Sequence, residues 1–156
     1  MRHIQTYHLF ESTGRSMTLI VGLPGSGKSE LAKRLNPQGT QVEFDDPDPF
    51  AWDSDYTADK PYAQIEDALE QGESLIINSG DFIMPHGKEL LDTFKEMGER
   101  HGYTIRTIYF ENDPEQCLKN QSERGYRSFT KEEMLQASKT YHIPPGAEIV
   151  PVYRRD

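Results

Sequence analysis

Of the 156 residues only Cys117 carries a thiol. That excludes a disulfide framework within the chain and suits a reducing, cytoplasmic compartment. Cys117 falls in a helical pattern, where it reads as a packed small residue rather than a nucleophile. Long apolar runs are missing as well. None approaches the ~20 residues of a membrane span, and the first residues show neither the apolar segment nor the small-residue cleavage site of a secretory signal. No internal repeat, low-complexity tract or metal-ligand cluster is evident, and His86 and His101 are expected at the surface.

Basic residues are scarce in one place. Between residues 43 and 73 eleven carboxylates accompany a single base, Lys60, whereas the rest of the chain holds fifteen acids and sixteen bases. The net charge of −9 therefore belongs to one segment. Such a chain offers no basic platform for a tight, sequence-independent grip on long DNA, and a short or single-stranded end or a nucleotide fits the charge better. The length is that of one domain large enough to enclose a core.

What the sequence does contain is Gly22-Leu23-Pro24-Gly25-Ser26-Gly27-Lys28-Ser29, which fits G-x-x-x-x-G-K-[ST], the phosphate-binding loop of P-loop NTPases. Glycines let successive backbone N–H groups turn inward onto an anion. The Lys28 ammonium serves the β- and γ-phosphates, and the Ser29 hydroxyl is a ligand for Mg²⁺. The context agrees. Met17 to Val21 is a short apolar run of the kind buried in parallel sheets, and Leu31, Ala32 and Leu35 line one face of a helix that starts under the loop. ATP and Mg²⁺ are the expected ligands.

Along the chain, strands are expected at 17–21, 41–44, 74–78, 104–110 and 148–153, alternating with helices, with Pro151 placing the last strand at an edge. That count predicts an α/β P-loop NTPase sandwich of three layers around a five-stranded, mainly parallel sheet. Residues 1–16 form a leader of unassigned role, and 17–156 form a single domain. Pro85 is expected to open the helix that runs to about His101, Pro114 the next one, and Thr130-Lys131-Glu132-Glu133 carries a capping box.

Chemistry is expected where strands end. Asp45 and Asp46 follow strand two and face the phosphate loop across the crevice at the carboxyl edge of the sheet. Asp45 reads as the general base for an acceptor hydroxyl and Asp46 as a holder of Mg²⁺-bound water; an Asp-Asp-Pro turn in solvent is the alternative. Residues 47–62 form a long irregular stretch whose Phe50, Trp52, Tyr56 and Tyr62 either stack on an acceptor base or pack the loop onto the domain. A basic cluster around Gly125, with Arg124 and Arg127, suits a lid over the phosphates, where guanidinium groups offset charge on a migrating phosphoryl group. A solvated helix end is the competing reading. No N-K-x-D motif for guanine occurs, so a GTPase switch is not expected.

With these pieces in place, the chain from residue 17 to about 142 resembles P-loop kinases of the phage polynucleotide 5′-hydroxyl type, and more distantly zeta-toxin-like and small AAA-type P-loop kinases. The matching stretches are Gly22 to Ser29, Asp45-Asp46, and Lys119-Asn120-Gln121-Ser122-Glu123-Arg124-Gly125-Tyr126-Arg127. The resemblance implies transfer of the γ-phosphate of ATP to a hydroxyl of a nucleic acid or nucleotide, with Asp45 as base and Arg124 as a lid arginine on the ATP phosphates. It implies a cytoplasmic protein, or one of a host cytoplasm if phage-encoded. Three positions depart from the pattern: Asn120 stands for a second lid arginine, Ser79 for an acid after strand three, and Asp48 for an arginine at the acceptor. The donor half thus matches more fully than the acceptor half. A hydroxymethyl-pyrimidine base in DNA or a small metabolite remains an alternative acceptor, and a non-catalytic ATP-binding module is the alternative class.

Overall fold

The structure is a computed structural model and describes residues 15–35, 40–44, 59–123 and 129–154. Strand β1 (Ser16–Val21) lies at its centre. It pairs in parallel with β3 (Leu75–Ser79) on one side and β4 (Thr104–Phe110) on the other. Next to β3 runs β2 (Thr40–Phe44), and next to β4 runs β5 (Glu148–Val150), giving the order β2-β3-β1-β4-β5. The sheet expected to be mainly parallel is parallel at every pairing among the described residues. All five positions of β3 are buried, as are Met17, Leu19, Ile20 and Val21 of β1. Continuous burial rather than alternation is what a parallel strand covered on both faces shows.

The connections are helical: α1 (Lys28–Leu35), α2 (Asp59–Glu70), a 3₁₀ turn (Gly80–Ile83), α3 (Gly87–Arg100), α4 (Pro114–Glu123) and α5 (Lys131–Thr140). From β1 the chain first moves outward to β2 and then returns across the sheet. Right-handed crossovers therefore put α1 on one face and α2 and α3 on the other. The Tyr62 and Phe94 rings, 5.3 Å apart, join α2 to α3, and Phe82 meets Phe94 edge-on at 6.0 Å. Phe94 is fully buried, a burial of about 2–3 kcal/mol for a side chain of that size.

Several boundaries differ from those expected. Helix α3 starts at Gly87, not at Pro85. A Cβ at Gly87 would lie 1.9 Å from the Phe82 carbonyl oxygen, so the helix entry is set by close approach to the 3₁₀ turn. β5 stops at Val150, because Pro151 has no N–H for a ladder, and its edge position is as expected. Helix α2 reaches back to Asp59 and takes up the end of the stretch expected to be irregular. His86 and His101, expected at the surface, are half-buried; His101 Nε2 lies 3.1 Å from Glu66 Oε1 and ties α3 to α2. The capping box forms as expected, with Glu133 N donating to Thr130 Oγ1 and Thr130 N to Glu133 Oε1. Among the described residues no helix is long and apolar enough to cross a membrane.

Cys117 is fully buried on α4. Burial, with smaller contributions from Asp113 and Glu111 opposing the Lys28 charge, pushes its thiol up to about 12. At pH 8 only about one thiol in ten thousand is then ionised. The native protein is expected to leave a thiol reagent such as DTNB unreacted and to consume one equivalent once unfolded in guanidinium. Rapid labelling of the native protein would contradict this.

Candidate active site

The site is built where β1 ends. Past Val21, Leu23 is fully buried and its carbonyl accepts from Ser26 N at 3.1 Å, which closes a tight turn. Gly25 and Gly27 then adopt φ of +84° and +106°, a left-handed backbone that other residues rarely take. Helix α1 begins directly afterwards at Lys28. The loop wraps round the Ser26 side chain, which is fully buried and whose Oγ has no hydrogen-bond partner among the described residues. Left-handed glycines, an unsatisfied buried hydroxyl and a helix N-terminus fit a phosphate group. Lys28 Nζ donates to Leu23 O at 3.1 Å, which folds the ammonium back across the loop rather than out into solvent.

Ser29, one residue into α1, is held from two strands. Its Oγ donates to Glu43 Oε1 at 3.0 Å and lies 3.4 Å from Asn78 Nδ2. Alternation along β2 explains the first contact. Val42 is buried in the core, whereas Gln41 and Glu43 share the other face. Gln41 Nε2 donates to Ala32 O of α1, and Glu43, two residues on, reaches Ser29 of the same helix. Asn78 is 3% exposed near the end of β3. A hydroxyl and a carboxylate side by side suit a hard cation such as Mg²⁺, with the Asn78 amide N–H steadying the hydroxyl oxygen. Among the described residues no group of three or more His, Cys, Asp or Glu side chains gathers as a metal cluster.

Two departures from the polynucleotide-kinase pattern have structural explanations. Ser79 accepts from Asp81 N at 3.0 Å and so caps the 3₁₀ turn. Asn120 is 5% exposed and ties three elements together. Its Nδ2 donates to Gly25 O at 2.8 Å and to Tyr153 O at 2.7 Å, and its Oδ1 accepts from Gln116 Nε2. Tyr153 N in turn donates to Ser26 O at 2.9 Å. The segment after β5 is therefore strapped against the phosphate loop, with Asn120 as the buckle. Next to it Gln121, also buried, donates to Phe129 O and accepts from Phe129 N, so it clasps α4 to the chain two residues before α5.

Of the residues singled out in the sequence, Gly22, Leu23, Pro24, Gly25, Ser26, Gly27, Lys28 and Ser29 come together as one loop and helix start. Asp45, Asp46, Arg124 and Arg127 lie outside the described residues. Glu43, Asn120 and the Tyr153 backbone were not anticipated. For Glu43 the signal was present in the two-residue alternation of Gln41-Val42-Glu43-Phe44. For Asn120 and Tyr153 no local pattern announces a partner some thirty or ninety residues away.

Comparison with known proteins follows the same lines. No curated protein matches the chain. Among solved structures, a gluconokinase from Sinorhizobium meliloti 1021 is similar with a TM-score of 0.56 at 12% identity, over 91% of this chain and 85% of that one. A putative kinase from Chloroflexus aurantiacus gives 0.53 at 14% identity, over 90% and 85%. Kti12 of Chaetomium thermophilum, solved in complex with ADP-AlF3, gives 0.52 at 12% identity, over 87% and 89%. At such identities the likeness is one of fold, and that fold is the P-loop one. The sequence pattern described as "AAA domain" matches residues 17–145, most of the chain, and the protein belongs to that P-loop family.

Proposed function

We propose that this protein is an ATP-dependent kinase that passes the γ-phosphoryl group to a hydroxyl of a nucleic acid or nucleotide, in the manner of polynucleotide kinases. The observation that carries the reading is the pairing of Lys28, folded over the phosphate loop, with a Ser29 hydroxyl held by Glu43 and Asn78. An anion cradle beside an oxygen-rich cation site is what a metal–nucleotide donor needs. Lys28 carries charge on the β- and γ-phosphates, and Arg124 and Arg127 offset charge on the group in transfer. Asp45 accepts the proton of the attacking hydroxyl. Ser29 and Asp46 would hold Mg²⁺, which would supply positive charge to neutralise that of the phosphates.

The acceptor has a second reading. Gluconokinase, similar in fold, is by name a small-molecule kinase, and the acidic stretch from 43 to 73 suits a small or locally neutral acceptor better than duplex DNA. A metabolite or a hydroxymethyl-pyrimidine base is then the acceptor, and the donor chemistry is unchanged. A non-catalytic ATP-binding module is the contrasting class. Asp45→Asn separates it from a kinase: the substitution is expected to lower transfer about a hundredfold while ATP binds as before. Wild-type transfer rates in Asp45→Asn would remove Asp45 from the role of base, and ATP binding without any transfer in the wild type would favour the module.

A further inference from the structure

Many P-loop proteins place the acid that serves the loop hydroxyl at the end of the strand beside the loop, here β3. In this chain that position is neutral. Asn78 carries an amide, and Ser79 is committed to the Asp81 N–H. Asp81, the first acid after β3, lies in the 3₁₀ turn and is 2% exposed. The carboxylate that meets Ser29 comes instead from the next strand outward, as Glu43 of β2. We infer that Glu43 is the positioning residue of the cation site, supplying from β2 the negative charge that β3 lacks.

A serine has one proton to donate and two lone pairs to offer. Coordination of a cation uses a lone pair, so the proton must be turned away from the metal and accepted elsewhere. Glu43 Oε1, at 3.0 Å, takes that proton. Asn78 Nδ2, at 3.4 Å, engages one lone pair weakly, which leaves the second for a cation. A carboxylate acceptor makes the oxygen a better donor to metal than a neutral acceptor would, and it fixes the hydroxyl rotamer. Glu43 itself is exposed, so its second oxygen is open to water around the cation. Gln41, on the same face of β2, holds Ala32 O and keeps the strand in register with α1.

The inference rests on the nucleotide-dependent reading above, and the experiment separates the two. ADP affinity of the full chain is measured calorimetrically in EDTA and in Mg²⁺, and Mn²⁺ binding to the protein–ADP complex is followed by electron paramagnetic resonance. Outer-shell partners of metal ligands typically contribute 10- to 100-fold to metal affinity. Glu43→Gln keeps the shape and can still accept from Ser29 but lacks the charge. It is expected to bind ADP in EDTA as the wild type does and to lose about tenfold in Mn²⁺ affinity and in the Mg²⁺-dependent gain for ADP. Adding Asn78→Asp to Glu43→Gln returns a carboxylate to β3 and is expected to recover most of that loss. A metal-sensitive wild type with a Glu43→Gln variant that matches it overturns the assignment while leaving the kinase reading intact. A double variant no better than Glu43→Gln overturns the claim that charge on Ser29 is what counts. Wild-type protein that binds ADP equally with and without metal overturns both readings.

Discussion

Lys28→Ala is expected to cost phosphoryl transfer on the order of a thousandfold or more, the scale of removing a principal charge from a phosphoryl-transfer site. The side chain is half-buried, and its ammonium rests on the Leu23 carbonyl inside the turn of the loop. No other cation among the described loop residues Gly22 to Ser29 replaces it. Because the same contact is with a backbone carbonyl rather than with the core, the fold is expected to survive. A thermal midpoint within a few degrees of wild type, together with the lost transfer, marks a functional defect. Single-turnover transfer from γ-labelled ATP checks it; a loss below tenfold would mean that Lys28 does not touch the transferring phosphates.

Gly25→Ala is expected to abolish nucleotide binding and to destabilise the protein, for two separable reasons. At φ of +84° any other residue is strained, at about 1–3 kcal/mol. A Cβ there would also lie 2.5 Å from the Cys117 carbonyl oxygen and 3.1 Å from Gln121 Cγ. Cys117 belongs to α4 and cannot give way without moving the helix that carries Asn120, whose amide holds the carbonyl of Gly25 itself. Together these predict a loss of about 3 kcal/mol in urea unfolding and no measurable ADP binding. Gly72→Ala is the matched control. Its φ is +71° and nothing lies within 4 Å of the new Cβ, so it carries the backbone strain alone, about 1 kcal/mol, and leaves nucleotide affinity unchanged. Equal destabilisation by the two would refute the role given to the contact with α4.

The parts of this protein that were legible in its sequence are those encoded locally. The glycine spacing of 22–27 demands left-handed turns, and the structure has them at Gly25 and Gly27. The apolar run of β4 appears at Thr104–Phe110 as expected, and the Thr130–Glu133 box caps α5. What escaped was set by partners far away in the chain. Asn120 and Gln121 sit among Lys119, Ser122 and Glu123 and look like a solvated helix face, yet both are buried because the phosphate loop and Phe129 lie against them. Pro85 has the usual credentials of a helix opener, but Gly87 takes that place because Phe82 O leaves no room for a Cβ. Tyr153 was expected in a strand. Its N–H bonds the phosphate loop instead, since Pro151 had already ended the ladder. In the site itself, the motif pointed to Lys28 and Ser29, whereas Glu43, two residues before the Asp45-Asp46 pair, is marked only by the two-residue alternation of β2.

Whether this phosphate loop serves a kinase is read out by label transfer from γ-labelled ATP. The wild-type protein with Mg²⁺ is offered 5′-hydroxyl DNA and RNA oligomers, hydroxymethyl-pyrimidine DNA, nucleosides, nucleotides and sugar acids. Label on one of these acceptors, abolished by EDTA, is expected. Bound ATP with no label on any acceptor, under conditions where calorimetry shows the site filled, would contradict the kinase reading.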